Sequence, residues 1–211
     1  YRDQGVNGAT GLRFVSISGD VNRPGVYEVP FGLTVRELLQ LAGGLPPGRK
    51  LKAIAPSGPS GGFLPGQVKA VNLPEKFVKE RMAGADTYTI LDLPLDLNTL
   101  GLMGSMLGAA FVVYDETRDM VENALNCTQF YRNESCGKCV PCRVGAQKLV
   151  DLGGDILAGK APRAHAGLVN ELAEAMTLTS ICGLGQVASN PMATVLRHFR
   201  RDVDRYLVSG P

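Results

Sequence analysis

The nine residues Glu134–Cys142, "ESCGKCVPC", constrain this chain more than any other stretch of it. Cys136, Cys139 and Cys142 follow one another at a step of three, with Gly137 and Pro141 between them. Three thiols so close together on a loop direct their sulfurs to one side. That arrangement supplies three corners of an iron–sulfur cubane and leaves the fourth ligand to come from elsewhere. Cys182, in "TSICGLGQ", is the only cysteine that follows, 40 positions after Cys142. It too lies in a turn-like context, where Gly183 and Gly185 let backbone approach closely. The fifth cysteine, Cys127, falls on an apolar helical stripe with Met120, Ala124 and Tyr131, so it reads as a core thiol.

Other thiol chemistries fit the spacing less well. A zinc site of four cysteines normally uses two separated C-x2–4-C knuckles. Here the third cysteine sits within reach of the first knuckle and the fourth stands alone. A secreted disulfide framework would be shorter, evenly stocked and spread out. This chain has five cysteines, four of them between 127 and 142, which indicates a reducing, cytoplasmic setting. A nucleophilic cysteine needs a partner base. The two histidines, His165 and His198, stand at helical positions with no visible companion. The sequon-like triplets at Asn126 and Asn133 abut the thiol region and are read as chance. Lys138 and Arg143 read equally well as a solvated loop or as charges offsetting a negative cluster.

The two sides of this region differ in grammar. Residues 12–116 are mixed. "RFVSISG" places Val15 and Ile17 on one strand face and Phe14 on the other. Pro24 and Gly25 suit the centre of a type II turn leading into a strand at Val26–Val29. "LTVRELLQLAGG" is a short helix in which Thr34 and Glu37 form a capping box. Val35, Leu38, Leu39 and Ala42 share a face, and Gly43 is the stop. "LKAIAPSG" and "AFVVYDE" read as strands, and Pro56 to Pro74 as an extended loop. From 117 onward the pattern is helical. A second stripe runs through Leu168, Leu172, Ala175 and Met176. A third, started by Pro191, runs through Val195, Leu196, Phe199, Val203 and Tyr206. A further helix spans Pro141 to Leu157 and is weakened at Gly153–Gly154.

The expected fold is α+β: a connector at 1–11, a small β-grasp-like module at 12–116, and a four-helix iron–sulfur domain at 117–211. The formal net charge of +2 gives no electrostatic case for nucleic acid or an anionic membrane as the main partner. The most apolar window, Gly101–Tyr114, is shorter than the roughly 18–20 residues that span a bilayer and is broken by glycines. No direct membrane insertion is expected. The polar, Gly-rich opening "YRDQGVNGATG" looks like a connector from a preceding part of a longer protein.

Two resemblances add to this reading. "GDVNRPGVYEVPFGLTVRELLQLAGG" resembles the soluble-ligand-binding β-grasp module, over roughly residues 12–65. A structural or docking role is favoured there, because each conspicuous residue already has a folding task. "GSMLGAAFVVYDET", "FYRNESCGKCVPCRVG" and "TSICGLGQ" together resemble the FMN- and NADH-binding flavoprotein subunit of respiratory complex I. They resemble equally the diaphorase subunits of NAD-linked hydrogenases and formate dehydrogenases. "CRVG" and "CGLGQ" lean toward that soluble branch.

The resemblance implies that Cys136, Cys139, Cys142 and Cys182 hold a [4Fe–4S] cluster. It implies that backbone at Gly183 and Leu184 approaches the edge of FMN. It also implies partner iron–sulfur subunits in a multi-subunit redox complex. One departure is large: no G-x-G-x-x-G follows a strand and no phosphate loop is present, so hydride chemistry with NAD(H) and FMN belongs to a domain outside these residues. The expected role is a one-electron relay. Its rival is a structural zinc module that docks subunits and carries no electrons.

Overall fold

A computed structural model describes residues 1–208. The last three residues of the expected helical domain, 209–211, lie outside the described residues. The chain divides into two compact units, Tyr1–Arg118 and Asp119–Pro211.

The first unit is a β-grasp. Strand β1, Leu12–Gly19, pairs antiparallel with β2, Gly25–Pro30. Helix α1, Val35–Leu41, follows, and then β3, Leu51–Pro59, and the two-residue β4, Leu64–Pro65. A small ribbon joins β5, Gln67–Lys69, to β6, Thr87–Thr89, with α2, Glu75–Arg81, between them. Helix α3, Leu97–Leu102, leads into β7, Ala110–Asp115. The main sheet runs in the order β2-β1-β7-β3-β4, with β1 and β7 parallel at its centre.

The alternation read from the sequence is met. Val15 and Ile17 are buried, while Phe14 is 64% exposed. Thr34 and Glu37 form the capping box of α1. Val35, Leu38, Leu39 and Ala42 enter the core, and Gly43 and Gly44 close the helix at positive φ.

Two expectations for this unit are corrected. Pro24–Gly25 is not a type II turn: Gly25 has no positive φ, and it is already a strand residue opposite Ile17. The reversal is made instead between Gly19 and Pro24, and it is anchored on the end of α1. Asn22 N–H donates to Gly44 O at 3.0 Å, Arg23 N–H to Ala42 O at 2.8 Å, and the Asn22 amide to Gly43 O at 2.8 Å. The reversal therefore depends on a helix that comes later in the chain. The stretch Pro56–Pro74 is not one extended loop either, since it holds the end of β3 and all of β4 and β5. Strands of two or three residues show no period, and Pro65 is tolerated because β4 lies at the sheet edge.

The second unit is helical: α4, Met120–Glu134; α5, Val140–Leu157; α6, His165–Thr179; the short α7, Gly183–Val187; α8, Asn190–His198; and the single turn α9, Arg200–Val203. Asp119 caps α4 by accepting from Val121 N–H and Glu122 N–H. Buried Asp202 accepts from Met120 N–H at 3.0 Å, joining the two ends of the unit.

The four expected helices become four longer ones plus two short ones. The third stripe breaks at Phe199, whose φ of −117° and ψ of 46° separate α8 from α9. Gly153–Gly154 does not weaken α5. A Cβ on Gly153 would lie 2.6 Å from Met192 Cε and 3.1 Å from Leu125 Cδ1, so close packing explains that glycine. On α6 the core face is Val169 and Met176, while Leu168 and Ala175 are exposed.

Two measurements check this architecture. Gly19 has φ +86°, and a Cβ there would lie 2.1 Å from Val113 O. Gly19→Ala is expected to lower the first unit's stability by more than the roughly 1–3 kcal/mol of the backbone strain alone, read by urea unfolding. His198 is pushed down to about 4, chiefly by burial and secondarily by Arg197. The unfolded chain takes up this proton near pH 6.5, whereas the folded chain resists it until about pH 4. Stability is therefore expected to be full above pH 6.5 and to decline from there toward pH 4. His198→Gln should flatten that part of the curve.

Candidate metal centre

Helix α4 ends at Glu134, and Ser135 leaves it in extended conformation, with φ −63° and ψ 124°. Gly137, at φ +73°, then turns the chain back. Cys139 is the N-cap of α5, and Pro141 occupies the first turn, where a missing N–H costs nothing. Cys142 follows one turn later, so Cys139 and Cys142 share a face at the helix start. Arg143 donates to Gly137 O and ties the loop to α5. Arg143 is exposed, and its charge also contributes, least among the causes, to holding the Cys139 thiol down. Lys138 is exposed.

The second cysteine turn is built the same way. Helix α6 ends at Ser180, Cys182 is the N-cap of α7, and Gly183 begins that helix. Gln186 secures the turn through its side chain, which donates to Ser180 O at 3.1 Å, while its carbonyl accepts from Thr177 Oγ1 at 3.0 Å.

The two turns abut. Hydrogen bonding from the backbone of Ile181, and less from that of Cys142, holds the Cys139 thiol below its ordinary value. A Cβ on Gly185 would lie 2.5 Å from Ser180 Oγ and 2.9 Å from Cys142 Cβ, so only glycine lets α7 seat against the start of α5. Gly145 does the same between α5 and α6, where a Cβ would lie 2.5 Å from Met176 Sδ. Cys142 is buried, Cys139 half-buried, and Cys136 and Cys182 exposed; all five cysteines are free thiols. Ser135 Oγ lies 3.2 Å from Cys142 Sγ. Ser180 Oγ is buried with no hydrogen-bond partner. Nothing lies within 4 Å of a Cβ placed on Gly183, and Leu184 is half-buried.

Among the described residues, no three His, Cys, Asp or Glu side chains form a ready single-ion site. What the two turns offer is a set of four free thiols, a hydroxyl beside the Cys142 sulfur, and a second, unpartnered hydroxyl in the turn that carries Cys182. These features fit a thiolate-bound iron–sulfur group, whose sulfurs accept hydrogen bonds from their surroundings. Cys127 is different: it is half-buried on α4, and burial pushes its thiol up to about 11, away from the reactive thiolate. The sequence carried no direct signal for Ser135, Ser180 or the seating role of Gly185. Only the "S" before the first cysteine and the "S" two residues before the last hinted at them.

Comparison with known proteins meets this geometry. Residues 122–206 match the model of the NADH-ubiquinone oxidoreductase-F iron–sulfur binding region, and residues 14–74 match the SLBB domain. Along the chain, a match to the SLBB model is thus followed by a match to the F-type iron–sulfur binding region. The NADH-quinone oxidoreductase F subunit of Streptomyces coelicolor is 36% identical over 98% of this chain and 41% of its own length. The NADP-reducing hydrogenase subunit HndC of Solidesulfovibrio fructosivorans is 32% identical over 96% of this chain and 38% of its own. The crystal structure of an NAD+-reducing [NiFe]-hydrogenase in the H2-reduced state superposes with a TM-score of 0.79 at 31% identity, over all of this chain and 32% of that one. The chain thus spans about two fifths of the length of the curated relatives it matches, and it corresponds to their C-terminal part. No helix among the described residues is long and apolar enough to cross a membrane.

The orphaned hydroxyl gives a direct check. In the iron-free chain, Ser180→Ala removes a buried group that has lost water and gained no partner. Its stability is expected to be unchanged or raised, by on the order of 1 kcal/mol, in thermal unfolding. A loss of that size would mean that the hydroxyl is satisfied.

Proposed function

We propose that Cys136, Cys139, Cys142 and Cys182 hold one [4Fe–4S] cluster, and that this chain is the electron-relay part of an NADH-dehydrogenase-type flavoprotein subunit. Bound there, the cluster supplies a one-electron couple between FMN, reduced by NAD(H) in a domain beyond these residues, and clusters in partner subunits of a cytoplasmic or peripheral redox complex. The observation that carries the reading is the seating of two cysteine turns, 40 residues apart in sequence, against each other, so close that a Cβ on Gly185 would lie 2.9 Å from Cys142 Cβ.

The chain's own residues then have definite tasks. The four thiols bind as thiolates. Gly137, at positive φ, turns the loop that carries the first three. The first turn of α5 presents unpaired N–H groups and the positive end of its dipole to the thiolates, stabilising their negative charge. Gly185 lets the fourth thiol's turn come close. Gly183 and Leu184 leave an open surface beside Cys182, where the edge of FMN would approach. No acid–base residue is needed, because the step transfers electrons alone.

The test is iron content, visible absorbance and low-temperature EPR of the reduced protein. Serine at 136, 139, 142 or 182 is expected to lose or degrade the signal, whereas Cys127→Ser should keep it in full. Broad brown absorbance that bleaches reversibly supports the relay. A colourless protein that binds zinc instead would establish the structural docking module. An intact cluster in Cys182→Ser beside a lost one in Cys127→Ser would overturn the ligand set.

A further inference from the structure

The loop between α4 and α5 contains a hydroxyl whose hydrogen-bond direction is decided by its neighbours. Ser135 Oγ lies 3.2 Å from Cys142 Sγ, and on distance alone either atom can be the donor. Ser135 Oγ also accepts from Gly137 N–H at 3.2 Å. A serine hydroxyl has one proton to give and two lone pairs to accept with. Gly137 N–H uses one of these lone pairs. A cysteine that ligates a metal is deprotonated and has no proton to donate. With Cys142 as a ligand, the Ser135 proton is left to face Cys142 Sγ.

The surroundings make this bond consequential. Cys142 is only 5% exposed, the most buried of the four thiols around the two turns. Water is therefore poorly placed to solvate its sulfur, and a hydrogen bond from protein counts for more in such a setting. Ser135 is held where it is needed. It is the C-cap of α4, the Gly137 turn folds directly over it, and Arg143 fixes that turn by donating to Gly137 O. The hydroxyl is thus set by backbone on both sides, not by a free rotamer alone.

We infer that Ser135 is a positioning residue that donates its hydroxyl hydrogen bond to the Cys142 sulfur and raises the reduction potential of the group that sulfur holds. The inference rests on the ligand set proposed above. A donor to a ligating sulfur stabilises the form that carries more negative charge, which is the reduced one. Removing the donor makes reduction harder and shifts the midpoint to lower potential. The chain acquires in this way a control on its relay that is separate from the ligands themselves. The two residues lie seven apart in sequence and meet only because the loop turns at Gly137.

The experiment is an EPR-monitored redox titration of the iron-loaded protein, with iron content measured in parallel, for the natural chain, Ser135→Ala and Ser135→Thr. The expected result is full iron in all three, a lower midpoint potential in Ser135→Ala, and a midpoint near the natural one in Ser135→Thr, which keeps the hydroxyl. Full iron with an unchanged midpoint in Ser135→Ala would overturn the inference. So would loss of iron in Ser135→Ala, because the hydroxyl would then be holding the loop and not tuning the sulfur. Failure of the underlying ligand reading looks different: the natural chain itself would show neither iron nor the EPR signal.

Discussion

The contact on which the helical unit's chemistry depends is the seating of the Cys182 turn on the first turn of α5. It requires two absences and one close approach. No side chain can occupy Gly185, because Ser180 and Cys142 already fill the space. None fits at Gly145, because Met176 lies across it. The backbone of Ile181 must come near enough to hold the Cys139 thiol below its ordinary value. With these in place, two thiol-bearing turns face a common space. Without them, the same cysteines would be loop residues with no partner.

The electrostatics of the site follow from backbone more than from charged side chains. The first turn of a helix leaves N–H groups unpaired, and α5 begins at the thiols. Arg143, the nearest cation in sequence to Cys142, spends its hydrogen bond on Gly137 O and so acts on loop shape. On the proposed reading, a site that stabilises negative sulfur through fixed N–H and O–H groups would keep its donors in place as charge changes. A flexible lysine or arginine would have to reorganise. Exposure is graded across the four thiols, with Cys142 buried and Cys136 and Cys182 open. The buried sulfur is therefore the one whose surroundings the protein controls most closely.

The first unit shows how a small sheet is held by backbone pairing and a few polar contacts. Its central strands β1 and β7 run parallel, and Gly19 lets the end of β1 lie directly against the backbone of β7. Arg118 donates to Asp20 and closes that end of the sheet. The β1–β2 reversal is fastened by carbonyls at the end of α1. The first hairpin and the helix that follows it are in this sense one cooperative piece.

Residue type and spacing by themselves determined much here. Period-two burial in β1, the capping box and glycine stop of α1, the helical grammar after 117, and the isolation of Cys127 from the other thiols were all legible, because each depends on neighbours within a few positions. The spacing of Cys136, Cys139 and Cys142 singled out those thiols, and Cys182 was reached by counting what remained. Tertiary structure decided the rest, for a common physical reason: the partners are distant in sequence. Pro24–Gly25 reads locally as a turn, yet Gly25 is claimed by pairing with Ile17. Gly153–Gly154 reads as a weak point, yet Gly153 makes room for Met192. The α6 stripe was shifted because packing selected Val169 and Met176 as the inner face. That Ser135 Oγ lies beside Cys142 Sγ was not legible in any pattern, since it depends on a turn at Gly137 that brings Cys142 back to a helix end seven residues behind it.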